Sequence, residues 1–365
     1  MYFYTHADNI RIINLLLYYL MGLIYFTYFH VHIVNSLMPI NCMLTGGLAD
    51  SPSAQSHFIL YSALLILIVF ILGMSQTRTL IKTRRLLRDK VQALEVIEIQ
   101  KIELELKDKD ITDSLIYAQR IQEALLPSEA YFRKQFTDSF ILFKPKNIVS
   151  GDCYWIGEKR EKIFVVAADC TGHGVPGALM SMIGLKLIEK TINEDNIELP
   201  SSILAVMNRE LEKTFSREKN IGTIIRDGMD IGLCVIDRKR KKVEYAGAFL
   251  PLYLIRDGSL VEIAADKIII GMNPEGQPYK DHEIDLFDDD IFYIFSDGYV
   301  DQFGGSENKK FMYRRFRYLL MTIHNFPVDD QKAILEENIK TWMGANEQVD
   351  DMMVLGFRPL IRETK

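Results

Sequence analysis

The residues with which this chain of 365 amino acids could do chemistry sit in four short acidic turns. The first is Ser150-Gly151-Asp152. The second, Ala168-Asp169-Cys170-Thr171-Gly172-His173-Gly174, follows an apolar run and precedes a helical pattern. The third is Ser296-Asp297-Gly298, directly after Ile291–Phe295, and the fourth is Asp350-Asp351, opening the last apolar run. Carboxylates sent from strand ends into one place repel each other unless cations hold them together. Hard oxygen donors with no His/Cys cluster beside them select Mg²⁺ or Mn²⁺ over zinc. Two such ions, about 4 Å apart, can share a water, lower its pKa and aim it at a phosphorus atom. One Asp-Gly is ordinarily only a turn, and so is a histidine between two glycines. The weight lies in four such turns in this order, each at the edge of a strand.

The elements that must carry those turns are legible from Phe136 onward. Phe140–Phe143, Ile163–Ala168, Ile231–Ile236, Val243–Ala246, Leu252–Ile255, Ile291–Phe295 and Met352–Phe357 read as strands. Gly174–Ile192, Ser201–Phe215, Phe311–Ile323 and Asp330–Met343 read as helices. Tight turns such as Arg238-Lys239-Arg240-Lys241 and Arg256-Asp257-Gly258 join neighbouring strands and favour antiparallel pairing. The pattern predicts an α+β body of sheets covered by helices.

Upstream the chain changes character. Residues 12–34 and 57–74 are two apolar runs, the first without Lys, Arg, Asp or Glu. As helices they measure about 34 and about 27 Å, near the thickness of a hydrocarbon core. Residues 1–75 therefore read as a membrane hairpin. The intervening loop Asn35–Ser56 has no Lys or Arg, whereas Arg78, Lys82, Arg84, Arg85, Arg88 and Lys90 follow the second run. The positive-inside rule puts everything after residue 75 in the cytoplasm, at the inner membrane. Residues 76–126 hold no Pro or Gly. Heptads counted from Leu80 place apolar residues at nine of fourteen seam positions, with Lys101 and Asp108 as polar breaks. That predicts a coiled coil joining two copies of the chain through residues 80–125. The other reading is a single amphipathic helix, kept open by Ile99, Ile102 and Leu106 off the seam. Pro127 ends the helix, leaving 127–365 as the catalytic body.

Composition supports this division. A net charge of −6 gives no general attraction for nucleic acid. The four cysteines, Cys42, Cys153, Cys170 and Cys234, lie far apart, without a disulfide framework or zinc ribbon. Cys170 reads as a partly buried, inert thiol.

Residues 108–359 resemble a SpoIIE-type serine phosphatase domain, a bacterial branch of the metal-dependent type 2C protein phosphatases. The matching stretches are Tyr117–Gln122 into Leu125-Leu126-Pro127, Lys144-Pro145-Lys146, Val149–Trp155, Ala168–Gly177, Phe295–Gly298, Asp301–Gly305 and Gln348–Asp351. The resemblance implies a β-sandwich flanked by helices, a centre of two Mn²⁺ or Mg²⁺ ions, and hydrolysis of phosphoserine or phosphothreonine on a protein, often an anti-anti-sigma-type regulator. Carried over by residue, it gives Asp152 and Asp169 as holders of the metals, the Cys170 carbonyl as a backbone ligand, and Asp297 with Asp350, or less readily Asp351, as the remainder. His173 is a candidate acid for the leaving serine oxygen. Lys144 or Lys146 could hold the phosphate, or each could be a solvated strand end. The chain departs from its relatives at Asp227-Gly228-Met229-Asp230, where many carry a Thr-containing strand, and at Ala248, where His is frequent. Asp230 is either an outer acid of the site or the start of a strand.

Two other functions compete. A phosphatase fold without catalysis, serving as a tethered interaction module, is opposed by the intact carboxylates. A sensor histidine kinase is opposed by the absence of any His between His57 and His173. The layout also predicts that input at the membrane changes the packing of the helix Thr77–Leu126, where it meets the catalytic body at Arg120–Pro127.

Overall fold

The computed structural model describes residues 52–216, 227–273 and 275–360, with isolated helical positions between Tyr18 and His32. The chain divides into two compact units, Met1–Glu105 and Leu106–Lys365.

Helix α1, Pro52–Leu125, runs unbroken for 74 residues. The second apolar run and the heptad segment thus form one helix, as expected where no Pro or Gly stands between residues 76 and 126. No residue of its apolar stretch is buried, and among the described residues this one helix is long and apolar enough to cross a membrane. The first apolar run, 12–34, lies mostly outside the described residues, as does Cys42. Farther along α1, seam residues Leu80, Leu87, Leu94, Ile97 and Leu104 are exposed, and so are Ile99 and Ile102.

The second unit is built on two antiparallel five-stranded sheets. One has the order β1 (Ser139–Lys144), β12 (Met352–Phe357), β9 (Ile291–Phe295), β6 (Leu252–Arg256), β7 (Ser259–Ile263). The other has the order β2 (Asp152–Lys159), β3 (Lys162–Cys170), β4 (Met229–Asp237), β5 (Lys242–Ala248), β8 (His282–Asp285). A hairpin, β10 (Phe303–Gly304) and β11 (Lys309–Lys310), stands apart. The helices are α2 (Glu129–Gln135), α3 (Gly174–Asn193), α4 (Pro200–Ser216), α5 (Gly298–Asp301), α6 (Tyr313–Ile323) and α7 (Val328–Met343).

Strand β3 shows how the layers follow from sequence. Side chains alternate across a strand, and Lys-Ile-Phe-Val-Val-Ala-Ala has apolar residues on both faces. Ile163, Val165 and Ala167 enter the core between the sheets, with Ile141, Tyr154, Phe292 and Leu355. Phe164, Val166 and Ala168 enter a second core beneath α3 and α4, with Met180, Leu185, Leu204 and Met207. On the far side, Phe140, Tyr293 and Phe295 pack against Phe316 and Leu320 of α6 and Leu335 of α7. The result is a helix–sheet–sheet–helix sandwich.

All seven sequence-read strands are present; Ile291–Phe295 and Met352–Phe357 keep the expected bounds, and the other five are slightly longer. Three were missed. Strand β2 carries Gly157 and Glu158 in its outer half; β7 and β8 are mainly exposed edge strands without a two-faced apolar run. Helix α6 begins two residues later than its apolar period suggests, because Phe311 and Met312 donate backbone bonds to Gln302 and Val300 instead. Helix α4 starts at Pro200, one residue earlier, since proline suits the first turn of a helix.

Candidate active site

The alternation that fills the core also aims the carboxylates. Continuing Ile163, Val165, Ala167 by one step on the same face gives Asp169. The same count along β2 from Ile156 and Tyr154 gives Asp152, and along β4 the face of Ile236 and Cys234 continues through Gly232 to Asp230. Register completes the row: Asp152 pairs with Asp169, and Asp169 with Asp230, across three adjacent strands. The opposite sheet answers with Ser296, two residues past Ile294, and Asp351, two before Met353. The apolar layer between the sheets thus terminates in polar groups at one end.

Like charges directly opposite in a sheet are destabilising, and the protonation energetics carry that mark. Asp152, 1% exposed, is pushed well above the carboxylate range by burial and then by Asp169. Asp169 is raised to about 8, by burial and then by Asp297, Asp350 and Asp230. Asp230 is raised to about 6 by burial and by Asp297. Asp297 is open to solvent at its edge, yet its crowded carboxylate loses hydration; this, with Asp301 and Asp350, lifts it to about 6, and Lys310 offsets part of the rise.

Other groups set the geometry. Ser296 Oγ donates to Asp152 Oδ2 at 2.5 Å and accepts the Met353 amide at 3.0 Å, linking the two sheets at the cluster. Asp351 accepts the amides of Lys146 and Gly151, each at 2.7 Å, so both its oxygens are engaged by backbone. Asp350 Oδ1 accepts the Asp351 amide at 2.8 Å. The turn after Asp169 is fixed to the start of β4 by Thr171, whose amide and hydroxyl both donate to the Gly228 carbonyl at 3.0 Å. Helix α3 approaches so closely that a Cβ at Gly177 would lie 2.1 Å from the Gly172 carbonyl oxygen. Only a glycine lets the helix meet the loops bearing Asp152 and Asp169.

At the solvent edge, His173 precedes α3. Its Nε2 is 3.0 Å from Lys146 Nζ, and its Nδ1 is 3.0 Å from Asn147 Oδ1. An ammonium only donates and an amide oxygen only accepts. The ring therefore carries its proton on Nδ1 and accepts at Nε2. Lys144, the other sequence-read lysine, ends β1 with an exposed side chain; its carbonyl, not its ammonium, is engaged, by Gln348 at 2.7 Å.

Cys170 is buried at the end of β3, its thiol raised by its contact with Cys153 and by burial. Both cysteines, with Cys234, are free thiols.

Sequence reasoning missed Ser296, Asn147 and Gln122. Gln122, near the end of α1, is buried and holds the Ser150 backbone from both sides. Its Oε1 accepts the Ser150 amide at 3.1 Å, and its Nε2 donates to the Ser150 carbonyl at 2.6 Å and to Ser181 Oγ at 2.8 Å. At a heptad seam position it had the look of a polar break.

Among the described residues no three Asp, Glu, His or Cys side chains already close into a metal cage. The donor chemistry nevertheless fits hard divalent cations. The groups are carboxylates and carbonyls, gathered, partly buried and mutually repelling, which is the condition a divalent ion relieves.

A sandwich that gathers carboxylates where its two sheets open is the arrangement of PP2C-type phosphatase domains. The SiaA-PP2C domain of Pseudomonas aeruginosa is similar in structure at a TM-score of 0.63 and 32% identity, covering 69% of this chain and 98% of that one. The phosphoserine phosphatase RsbU of Bacillus subtilis is 26% identical over 192 residues, 52% of this chain. The chain spans about half the length of that curated relative, 54%. The family model for stage II sporulation protein E, SpoIIE, matches residues 159–359, and the chain belongs to that family.

Proposed function

We propose that this chain is a membrane-tethered protein serine/threonine phosphatase with a binuclear Mn²⁺ or Mg²⁺ centre. Its substrate would be a phosphoserine or phosphothreonine on a regulatory protein of the anti-anti-sigma type. The observation that carries the reading is the cross-strand row Asp152, Asp169, Asp230, with Asp297 beside it, in a domain of the SpoIIE family.

Asp152, Asp169, Asp297 and Asp350, with the Cys170 carbonyl, would hold the ions. Asp351, its two oxygens engaged by amides, is assigned to fixing the backbone of Lys146 and Gly151 rather than to the metals. When bound, the ions would supply Lewis-acid chemistry, lowering the pKa of water and neutralising phosphoryl oxygens. Ser296 keeps Asp152 in one rotamer. Lys146 would bind the phosphate by charge-assisted hydrogen bonds. Lys146 Nζ donates to His173 Nε2, and a proton from this pair would pass to the serine oxygen as it leaves. Asn147 keeps the other ring nitrogen protonated, so Nε2 remains the atom that exchanges.

The remaining assignments complete the proposal: 1–75 as a membrane hairpin with spans at 12–34 and 57–74, 76–126 as a signalling helix, and 127–365 as the catalytic domain in the cytoplasm. The exposed apolar seam of α1 supports a homodimer through residues 80–125. Gln122 supports regulation through that helix, because the same chain segment holds the backbone preceding Asp152.

The test is phosphate release from a phosphoserine protein mixture by the full chain in detergent micelles, with Mn²⁺, with EDTA, and for Asp169→Asn. Release that needs Mn²⁺ and disappears in the variant is expected. Mn²⁺ failing to bind, with no release, would instead favour an interaction module without catalysis.

A further inference from the structure

The second unit carries a groove with no part in the site described above. It lies along α6 and α7 and encloses a cavity of about 940 Å³. Its lining includes Met312, Arg314, Arg315, Tyr318, Asn338 and Trp342, with no aspartate or glutamate. In a chain of net charge −6, a groove with two arginines and no acid is a local inversion.

Resting on the phosphatase reading, we propose that this groove docks an extended segment of the phosphoprotein substrate in which acidic residues flank an aromatic or aliphatic one. The polar groups are arranged for a peptide. Arg315 lies over the Trp342 ring, 4.6 Å to the centroid, and donates to the Phe311 carbonyl at 3.2 Å, so its cation is fixed in the groove. Arg314 is exposed and has no acidic partner among the described residues. Tyr318 is 75% exposed and offers a flat apolar surface with a polar tip. Asn338 Oδ1 is buried with no hydrogen-bond partner among the described residues.

The groove is tied to the catalytic carboxylates by a short stretch of chain. Met312 and Phe311 donate backbone bonds to Val300 and Gln302, at 2.7 and 2.9 Å, and Trp342 Nε1 donates to the Gln302 carbonyl at 3.0 Å. Those acceptors lie three and five residues after Asp297. Tyr313, the first residue of α6, has its hydroxyl raised to about 12 by burial and by Asp297 and Asp301. A segment seated along α6 is therefore held beside the site that would take its phosphoserine. Electrostatic complementarity of this kind selects partners and speeds encounter more than it adds raw affinity.

The probe is an unphosphorylated fluorescein-labelled peptide of the repeat Asp-Glu-Phe-Asp-Leu, compared with its Asn/Gln counterpart. Binding to the full chain in detergent micelles with EDTA is read by fluorescence anisotropy. The acidic peptide is expected to bind at least tenfold more tightly, and Arg314→Glu and Tyr318→Ala should each remove most of that difference. Both positions are exposed, so both variants are expected to keep the circular dichroism spectrum of the parent. Equal binding of the two peptides, binding untouched by both variants, or equally tight binding of an oligo-dT of the same charge would overturn the proposal. Hydrolysis of p-nitrophenyl phosphate with Mn²⁺ is measured alongside and should be unchanged in the variants. Its absence in the unaltered chain counts against the phosphatase reading, whereas the anisotropy reports on the groove.

Discussion

The two ends of the β2–β3–β4–β5 sheet are built on opposite electrostatic rules. At one end Asp152, Asp169 and Asp230 face one another with like charge, and every one of them is raised in pKa. At the other end, some seven residues along the same strands, charges alternate in sign. Lys162 lies 3.2 Å from Glu198 and 4.0 Å from Glu244, Arg240 lies 3.6 Å from Glu244, and Lys242 pairs with Glu283. Glu283 is lowered, chiefly by its hydrogen bond from Lys242. Strand pairing and apolar core are shared, so neither explains the contrast. One end satisfies its own charges, and the other leaves an electrostatic deficit that something outside the chain must fill. Local rules broken in an otherwise consistent fold mark function.

The largest expected effect comes from neutralising the centre of the acidic row. Asp169→Asn should lower phosphate release on the order of a thousandfold, a loss of several kcal/mol in the barrier. In EDTA the same variant should melt higher than the parent at pH 8, because one member of a repelling set is gone. A variant that lost activity and also melted lower in EDTA would break the comparison, since Asp169 would then be stabilising like the far-end charges.

The unsubstituted chain should show the same deficit as a pH dependence. Folding raises Asp169, Asp230 and Asp297 above the ordinary carboxylate pKa, so the folded state binds protons more tightly than the unfolded state. Stability is then lost as pH rises, through about 6 for Asp230 and Asp297 and about 8 for Asp169. In EDTA, melting followed by circular dichroism should fall by about 5 °C or more between pH 5.5 and 8, on the order of 2 kcal/mol. Saturating Mn²⁺ should abolish the fall.

How much of this was legible in the sequence depends on whether a residue's role is local. Asp169 follows a strand with apolar residues on both faces, so its place at a strand end beside a turn could be read directly. Asp230 could not be ranked, because Met-Asp-Ile-Gly opens a strand equally well whichever face the acid takes; only pairing with Asp169 decides it. Ser296 stands in a recognisable Ser-Asp-Gly turn, but its function needs the second sheet 144 residues away to bring Asp152 within 2.5 Å. Lys144 and Lys146 are equivalent by charge and spacing. They separate in the fold because Lys146 reaches His173 while Lys144 ends its strand in solvent. Gln122 escaped because heptad reasoning assigns polar seam residues to helix pairing, and a hydrogen bond to Ser150 is invisible to any periodicity.

Gln122 gives the intermediate test. Gln122→Ala leaves the buried Ser150 amide without its partner, at a cost of about 1–3 kcal/mol. If the clamp sets the backbone that carries Asp152, Mn²⁺ affinity measured by calorimetry should weaken about tenfold. A lower melting temperature with unchanged Mn²⁺ affinity would make Gln122 a structural tie alone.

The smallest effect belongs to the paired end. Lys162→Met removes a cation shared by Glu198 and Glu244 while keeping the apolar stem over the sheet. Partly exposed ion pairs contribute at most about 1 kcal/mol, a shift of about 2–4 °C in a domain of this size. Turnover should be unchanged, because the substitution is separated from the carboxylates by the length of β3 and alters no charge facing them. The pH dependence in EDTA should also keep its shape, displaced to lower temperature throughout. A loss of turnover, or a flattened pH profile, would mean that the two ends are electrostatically coupled through the sheet and that the deficit at the acidic end depends on the pairs at the other.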